Sequence, residues 1–105
     1  MPLYEFRTYT LHVGKTAELE EVYAQYGWPL LERYADKLVG YFLPEIGNMN
    51  QMVHIWRFED EAERKAHWAA LYGDADFMAF ASRLRPLLAS QENRLMRNAP
   101  WGPTP

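Results

Sequence analysis

The sequence predicts an α+β fold, a four-stranded antiparallel sheet with helices on one face, and three observations predict it. Segments rich in aromatic and β-branched residues alternate with segments whose apolar residues recur at helical spacing. Two of the strand-like segments are joined only by Gly47-Asn48-Met49-Asn50, which makes them a hairpin and therefore antiparallel neighbours. The length, 105 residues, suffices for one core that buries roughly two thirds of the unfolded chain's surface, and not for two.

The first strand covers Leu3 to Leu11 and stops ahead of Gly14. In the helix that follows, Leu19, Val22, Tyr23, Tyr26 and Leu30 fall on one face. Pro29 has no amide donor and disfavours helical geometry at Trp28, so Gly27-Trp28-Pro29 is expected to kink or restart the helix, with Pro29 in a first turn. Lys37 to Ile46 reads as the second strand and Gln51 to Phe58 as the third. Asp60 and Glu63 match a capping box at the start of a helix that Gly73 closes. A further stripe at Phe77, Phe80, Ala81, Leu84 and Leu88 predicts another helix, which Pro86 ends or bends. Ala89 to Arg97 is the last strand, polar and short of β-branched residues. Residues 98–105, with three prolines, form a tail beyond a folded core of residues 1–97 in one domain spanning 1–105. Strand, helix, strand, strand, helices, strand is the split βαβ order of ferredoxin-like domains, in which the first and third strands are central.

Composition excludes several function classes. Eleven Lys and Arg against 14 Asp and Glu leave a net charge of −3, which argues against nucleic acid as a partner. The chain has no Cys, hence no disulfide, thiolate nucleophile or Cys-based zinc site, and this fits a reducing, cytoplasmic location. Glu5, Glu18, Glu20 and Glu21 make the first 30 residues read as folded protein rather than a targeting peptide, and no apolar run is long enough for membrane insertion. No Gly-rich phosphate loop, nucleophile elbow or metal-ligand spacing occurs.

Period-two alternation puts Tyr4, Phe6 and Thr8 on one side of the first strand and Glu5, Arg7 and Tyr9 on the other. The apolar set, with Val53 and Ile55 of the third strand, is expected to face the helices. Glu5, Arg7, Tyr9, His54 and Trp56 would then share the open face, where so large an aromatic patch calls for a second copy of the chain packed sheet to sheet. Within that cluster Arg7 suits an anionic or carbonyl group, Glu5 would orient it, and His54 is a candidate proton carrier. Tyr9, Tyr41 and Trp56 would supply hydroxyls and an aromatic wall. Glu92 and Arg94 share a face of the last strand and would extend the cluster if that face is the open one. Each has a plainer reading: a structural ion pair for Glu5 and Arg7, and a packing residue for His54. His67 is expected on a charged helix surface, and Trp68, Tyr72, Phe77 and Phe80 in the core.

The stretches Tyr4-Glu5-Phe6-Arg7-Thr8-Tyr9-Thr10-Leu11, Gly14-Lys15, Leu38-Val39-Gly40-Tyr41-Phe42, Glu45-Ile46-Gly47, Asn50-Gln51, His54-Ile55-Trp56, Phe58, Arg64, Arg85-Pro86-Leu87-Leu88, Gln91-Glu92 and Arg94 resemble NIPSNAP-family domains over nearly the full length. The resemblance implies a dimeric α/β barrel in which two four-stranded sheets enclose a cavity. It supplies no catalytic residues to carry over, and function does not follow from a shared fold. The expectation is therefore a homodimer that binds or transforms a small organic molecule in a barrel pocket, with no cofactor required. The alternatives are a non-catalytic dimeric interaction or stress-related module, and haem bound through His54.

Overall fold

The computed structural model describes residues 1–105. Strand β1 (Leu3–Leu11) leads into α1 (Thr16–Val22), a π-helical turn (Tyr23–Gly27), α2 (Trp28–Leu31) and a 3-10 segment (Glu32–Lys37). The hairpin β2 (Leu38–Phe42) and β3 (Gln51–Phe58) follows, then α3 (Glu61–Tyr72), α4 (Ala75–Leu84), a short 3-10 turn (Arg85–Leu87) and β4 (Leu88–Arg97). The sheet runs β2-β3-β1-β4 and is antiparallel throughout, so β1 and β3 are central as the split βαβ order requires. The chain thus adopts an α+β, ferredoxin-like fold.

Local chemistry accounts for the element ends. Asp60 caps α3 by accepting a bond of 2.8 Å from the Glu63 amide, and Glu63 returns the favour one residue early, to the amide of Glu59. Asp74 caps α4 through the amide of Asp76. The break at Pro29 takes a specific form: Trp28 N–H reaches back five residues to the Tyr23 carbonyl, and the widened turn restarts as α2 with Pro29 in its first turn. Gly27 lies against α4 so closely that a Cβ there would sit 2.6 Å from the Phe80 ring. The second strand is shorter than expected, leaving the ladder at Phe42 ahead of Pro44, which has no amide to donate.

The alternation along β1 and β3 has the expected period and the opposite sense. Glu5, Arg7, Tyr9 and Leu11, with Met52, His54, Trp56 and Phe58, face the helices and are buried. Tyr4, Phe6, Thr8, Val53 and Ile55 face away from them. The expectation that Arg7, His54 and Trp56 are sealed by a second copy is therefore corrected: the helices of the same chain seal them. The reason is area. Trp56 and Phe58, both fully buried, each remove roughly 150–250 Å² from water, about 4–6 kcal/mol apiece, and Leu11 and Met52 add to the same side. That outweighs Phe6, Val53 and Ile55, provided the polar members of the buried set find partners.

The core continues through Leu19, Leu30, Leu31, Trp68, Leu71, Phe80, Leu84 and Leu87 from the helical side. His67 is corrected as well. It is 8 % exposed and packs on Trp56, Phe58 and Trp68, because Arg64, His67, Trp68 and Leu71 form one stripe of α3 turned to the sheet. The tail folds back towards the open face, where the Tyr4 hydroxyl donates to the Pro105 carbonyl.

Candidate functional site

The central strands bring Glu5, Arg7 and Tyr9 side by side with Trp56, His54 and Met52, their direct cross-strand partners. Tyr41 joins them through a bulge. Between Leu38 and Gly40 the register of β2 against β3 shifts, one residue is inserted, and Tyr41 comes opposite His54 on the helix-facing side. Its ring stacks on the imidazole at 4.7 Å and 6°. From above, Trp68 of α3, Tyr23 of the π-helical turn and Phe80 of α4 close the space.

Glu5 is fully buried and anchors the charged part of the site. Its Oε2 accepts from Arg7 Nε, and its Oε1 from Arg64 Nε and, at 3.0 Å, from Trp68 Nε1. Burial alone would raise the Glu5 carboxyl, but the bonds and charges of Arg7, Arg64 and Trp68 more than offset it and hold the group below its usual range. The Arg7 guanidinium lies over the Trp68 ring, 3.7 Å from its centroid, and is held in place from two directions. No side chain accepts from its terminal nitrogens; Tyr9 is near enough to interact with it electrostatically, without a hydrogen bond of good geometry.

His54 has a defined tautomer. Trp56 Nε1 can only donate, and it donates to His54 Nδ1 at 2.7 Å. Burial, and then the nearby Arg7 charge, push His54 down to about 3, so the ring is neutral and its proton sits on Nε2. That N–H is buried and has no acceptor. Burial raises the phenols of Tyr9, Tyr23 and Tyr41, which keeps all three protonated at neutral pH.

These groups surround a cavity of about 90 Å³ between the sheet and the helices, walled mainly by aromatic and aliphatic side chains. Of the residues singled out from sequence, Arg7, Tyr9, Tyr41, His54 and Trp56 line it, and Glu5 stands behind Arg7. Glu92 and Arg94 do not belong. They pair with each other on the far side of the sheet, opposite Thr8 and Phe6, because β4 meets β1 in a register that turns Gln91 and Asn93 to the site's side. Trp68, Tyr23, Arg64 and Gln91 were not among the site candidates. The spacing of Arg64 and Trp68, four apart on one helix face, was the available signal for two of them. No three His, Asp or Glu side chains converge as a metal-ligand set, and about 90 Å³ is far too small for haem at His54.

A family model described as NIPSNAP matches residues 4–103. The chain belongs to the NIPSNAP family. It is 32 % identical over 100 residues to the human protein NipSnap homolog 3A, matching 93 % of this chain and 40 % of that protein, so it spans about two fifths of that relative's length. A NIPSNAP family protein of unknown function from Agrobacterium tumefaciens superposes with a TM-score of 0.88 at 34 % identity, over 97 % of this chain and 92 % of the other. SnoaB, a cofactor-independent oxygenase from Streptomyces nogalater, shares the fold at a TM-score of 0.67 and 24 % identity, over 98 % of both chains. No helix of the chain is long and apolar enough to cross a membrane.

Proposed function

We propose that this NIPSNAP protein binds a small organic molecule in the cavity between sheet and helices, through an oxygen of that molecule. The observation that carries the reading is the buried His54 Nε2–H without an acceptor, beside the unpaired terminal nitrogens of Arg7. A buried donor left unsatisfied costs roughly 1–3 kcal/mol, and a carbonyl or carboxylate oxygen in the cavity would recover it. In this reading Glu5 and Trp68 position Arg7, Arg7 and His54 bind the oxygen, and Tyr9 and Tyr41 donate from the flanks. His54 serves as a neutral donor rather than a base, since Nδ1 is occupied by Trp56 and Nε2 carries the proton. Trp56 acts indirectly by setting that tautomer.

The functional unit in this reading is a homodimer joined across the open face. Phe6, Val53 and Ile55, with the half-exposed Phe42 and Met96, form an apolar centre there, and the Glu92–Arg94 pair lies beside it. The lack of Cys suits the cytoplasm.

The test is a melting-temperature screen of small carbonyl compounds and organic acids. Hits are expected to lose their effect in His54→Leu and in the paired variant Glu5→Leu/Arg7→Met, which removes both buried charges together. Hits that stabilise both variants as well as the parent would overturn the assignment.

A further inference from the structure

The cavity is not isolated. Two of its walls, Tyr23 and Tyr41, are also walls of a surface groove of about 630 Å³ between α1, the π-helical turn and β2. Their rings meet edge to face with centroids 5.4 Å apart, so the two spaces are separated by one pair of phenols. The groove differs in character from the cavity: its lining includes Leu19, Trp28, Leu38, Leu43 and Met52, and Glu20 is its one charged member. Trp28 and Leu43 are 41 % and 47 % exposed, which leaves apolar surface in water along the approach to the polar cavity. The π-helical turn sits where the two spaces meet, and such turns recur at functional sites.

From this arrangement we infer that the ligand is an amphipathic carboxylate: its head at Arg7 and His54, its apolar chain running past Tyr23 and Tyr41 into the groove. The inference rests on the binding reading above and names the class of molecule. Three observations select it. The terminal nitrogens of Arg7 have no carboxylate on them and only the Tyr9 hydroxyl nearby, and they form a fork that matches a carboxylate with two parallel bonds. Arg7 lines the cavity as a cation only 6 % exposed, a setting in which its bond to an anion is stronger than in water. A cavity of about 90 Å³ holds a head group and little more, so any larger ligand must leave through a wall, and the groove beyond Tyr23 and Tyr41 is apolar.

The experiment titrates the protein with straight-chain carboxylates from propionate to decanoate, below their micellar concentrations, by isothermal calorimetry. Each added methylene that enters the groove should tighten binding about fourfold until the groove is filled. Leu43→Asp, a change at the exposed groove wall, should flatten the series, and the alcohol of matching length should bind at least tenfold more weakly than the acid. Short acids that bind with no gain from chain length would overturn the groove assignment while leaving the cavity reading intact. A series that keeps its slope in Leu43→Asp puts the chain elsewhere and also defeats the inference. Alcohols binding as well as acids would defeat the carboxylate head, and no binding at any length would defeat the inference while leaving the cavity reading to the carbonyl compounds of the melting-temperature screen.

Discussion

Replacing Glu5 by Gln removes a charge with almost no change of volume, which isolates the electrostatic share of the buried network. Glu5 is 0 % exposed and accepts three hydrogen bonds, from Arg7, Arg64 and Trp68. An amide offers one oxygen where the carboxylate offers two, so at least one donor faces an NH₂ group. Arg64 has a quarter of its side chain exposed and keeps Glu61, so it can turn to water. Arg7, 6 % exposed, cannot, and it becomes a buried cation without a partner. Losing one member of such a pair costs about 3–5 kcal/mol. Against a total of roughly 5–15 kcal/mol for a domain, that is a large share. At a urea m-value of about 1.5 kcal/mol/M, the midpoint should fall by roughly 2–3 M. The assay is urea unfolding followed by circular dichroism at one fixed protein concentration, since dimerisation would couple stability to concentration. Arg7→Met should cost a similar amount, and Glu5→Leu/Arg7→Met clearly less than the sum of the two. Single variants within about 1 kcal/mol of the parent, or a double variant that is simply additive, would refute the account of Glu5 as a buried anion that holds Arg7.

Acid should destabilise the fold well above the usual carboxylate range. Burial holds His54 at about 3 and His67 at about 4, against 6.5 for a free imidazole, so the unfolded chain takes up protons that the folded chain refuses. Their contribution is complete above pH 6.5 and is lost as pH falls towards the folded values; at pH 5 the loss is on the order of 2 kcal/mol per ring. Equal urea midpoints at pH 7 and pH 5 would contradict this. The imidazole of His54 should show a single Nε2–H tautomer by ¹⁵N NMR with no titration between pH 5 and 8, and a conventional titration near 6.5 would remove the Trp56–His54 bond from the argument. Gly27→Ala should cost about 1–3 kcal/mol by forcing the π-helical turn off Phe80, and Phe80→Leu should recover part of it; a neutral Gly27→Ala would mean that the contact is slack. Ile55→Glu, placed at the centre of the open face, should convert a species of twice 12.4 kDa into one of 12.4 kDa in sedimentation, and a parent that already runs at the smaller mass would dispose of the dimer.

Element types and order were legible in the chain because they depend on short-range chemistry. Alternation in Leu3–Leu11 and Gln51–Phe58, the Asp60 cap and the helical break at Pro29 all act within a few residues and stand in the structure; the hairpin stands too, with a connection that runs from Leu43 to Asn50 instead of from Gly47. The residues that assemble at the cavity, Arg7, Tyr9, Tyr41, His54 and Trp56, were legible as unusual side chains on central or hairpin strands.

Which face each strand buries was left to the tertiary structure. Alternation gives two sets of residues and does not say which is inside. On β1 the inside set contains a carboxylate and a guanidinium, and burying them is tolerable only because Arg64 and Trp68, about 60 residues along the chain, reach Glu5. The side of the sheet on which Tyr41 lies was likewise decided by a bulge that exists only once β2 pairs with β3. Local pattern thus determined what forms and in what order; long-range pairing decided which side chains meet, because a buried charge is stable only where distant parts of the chain supply its partners.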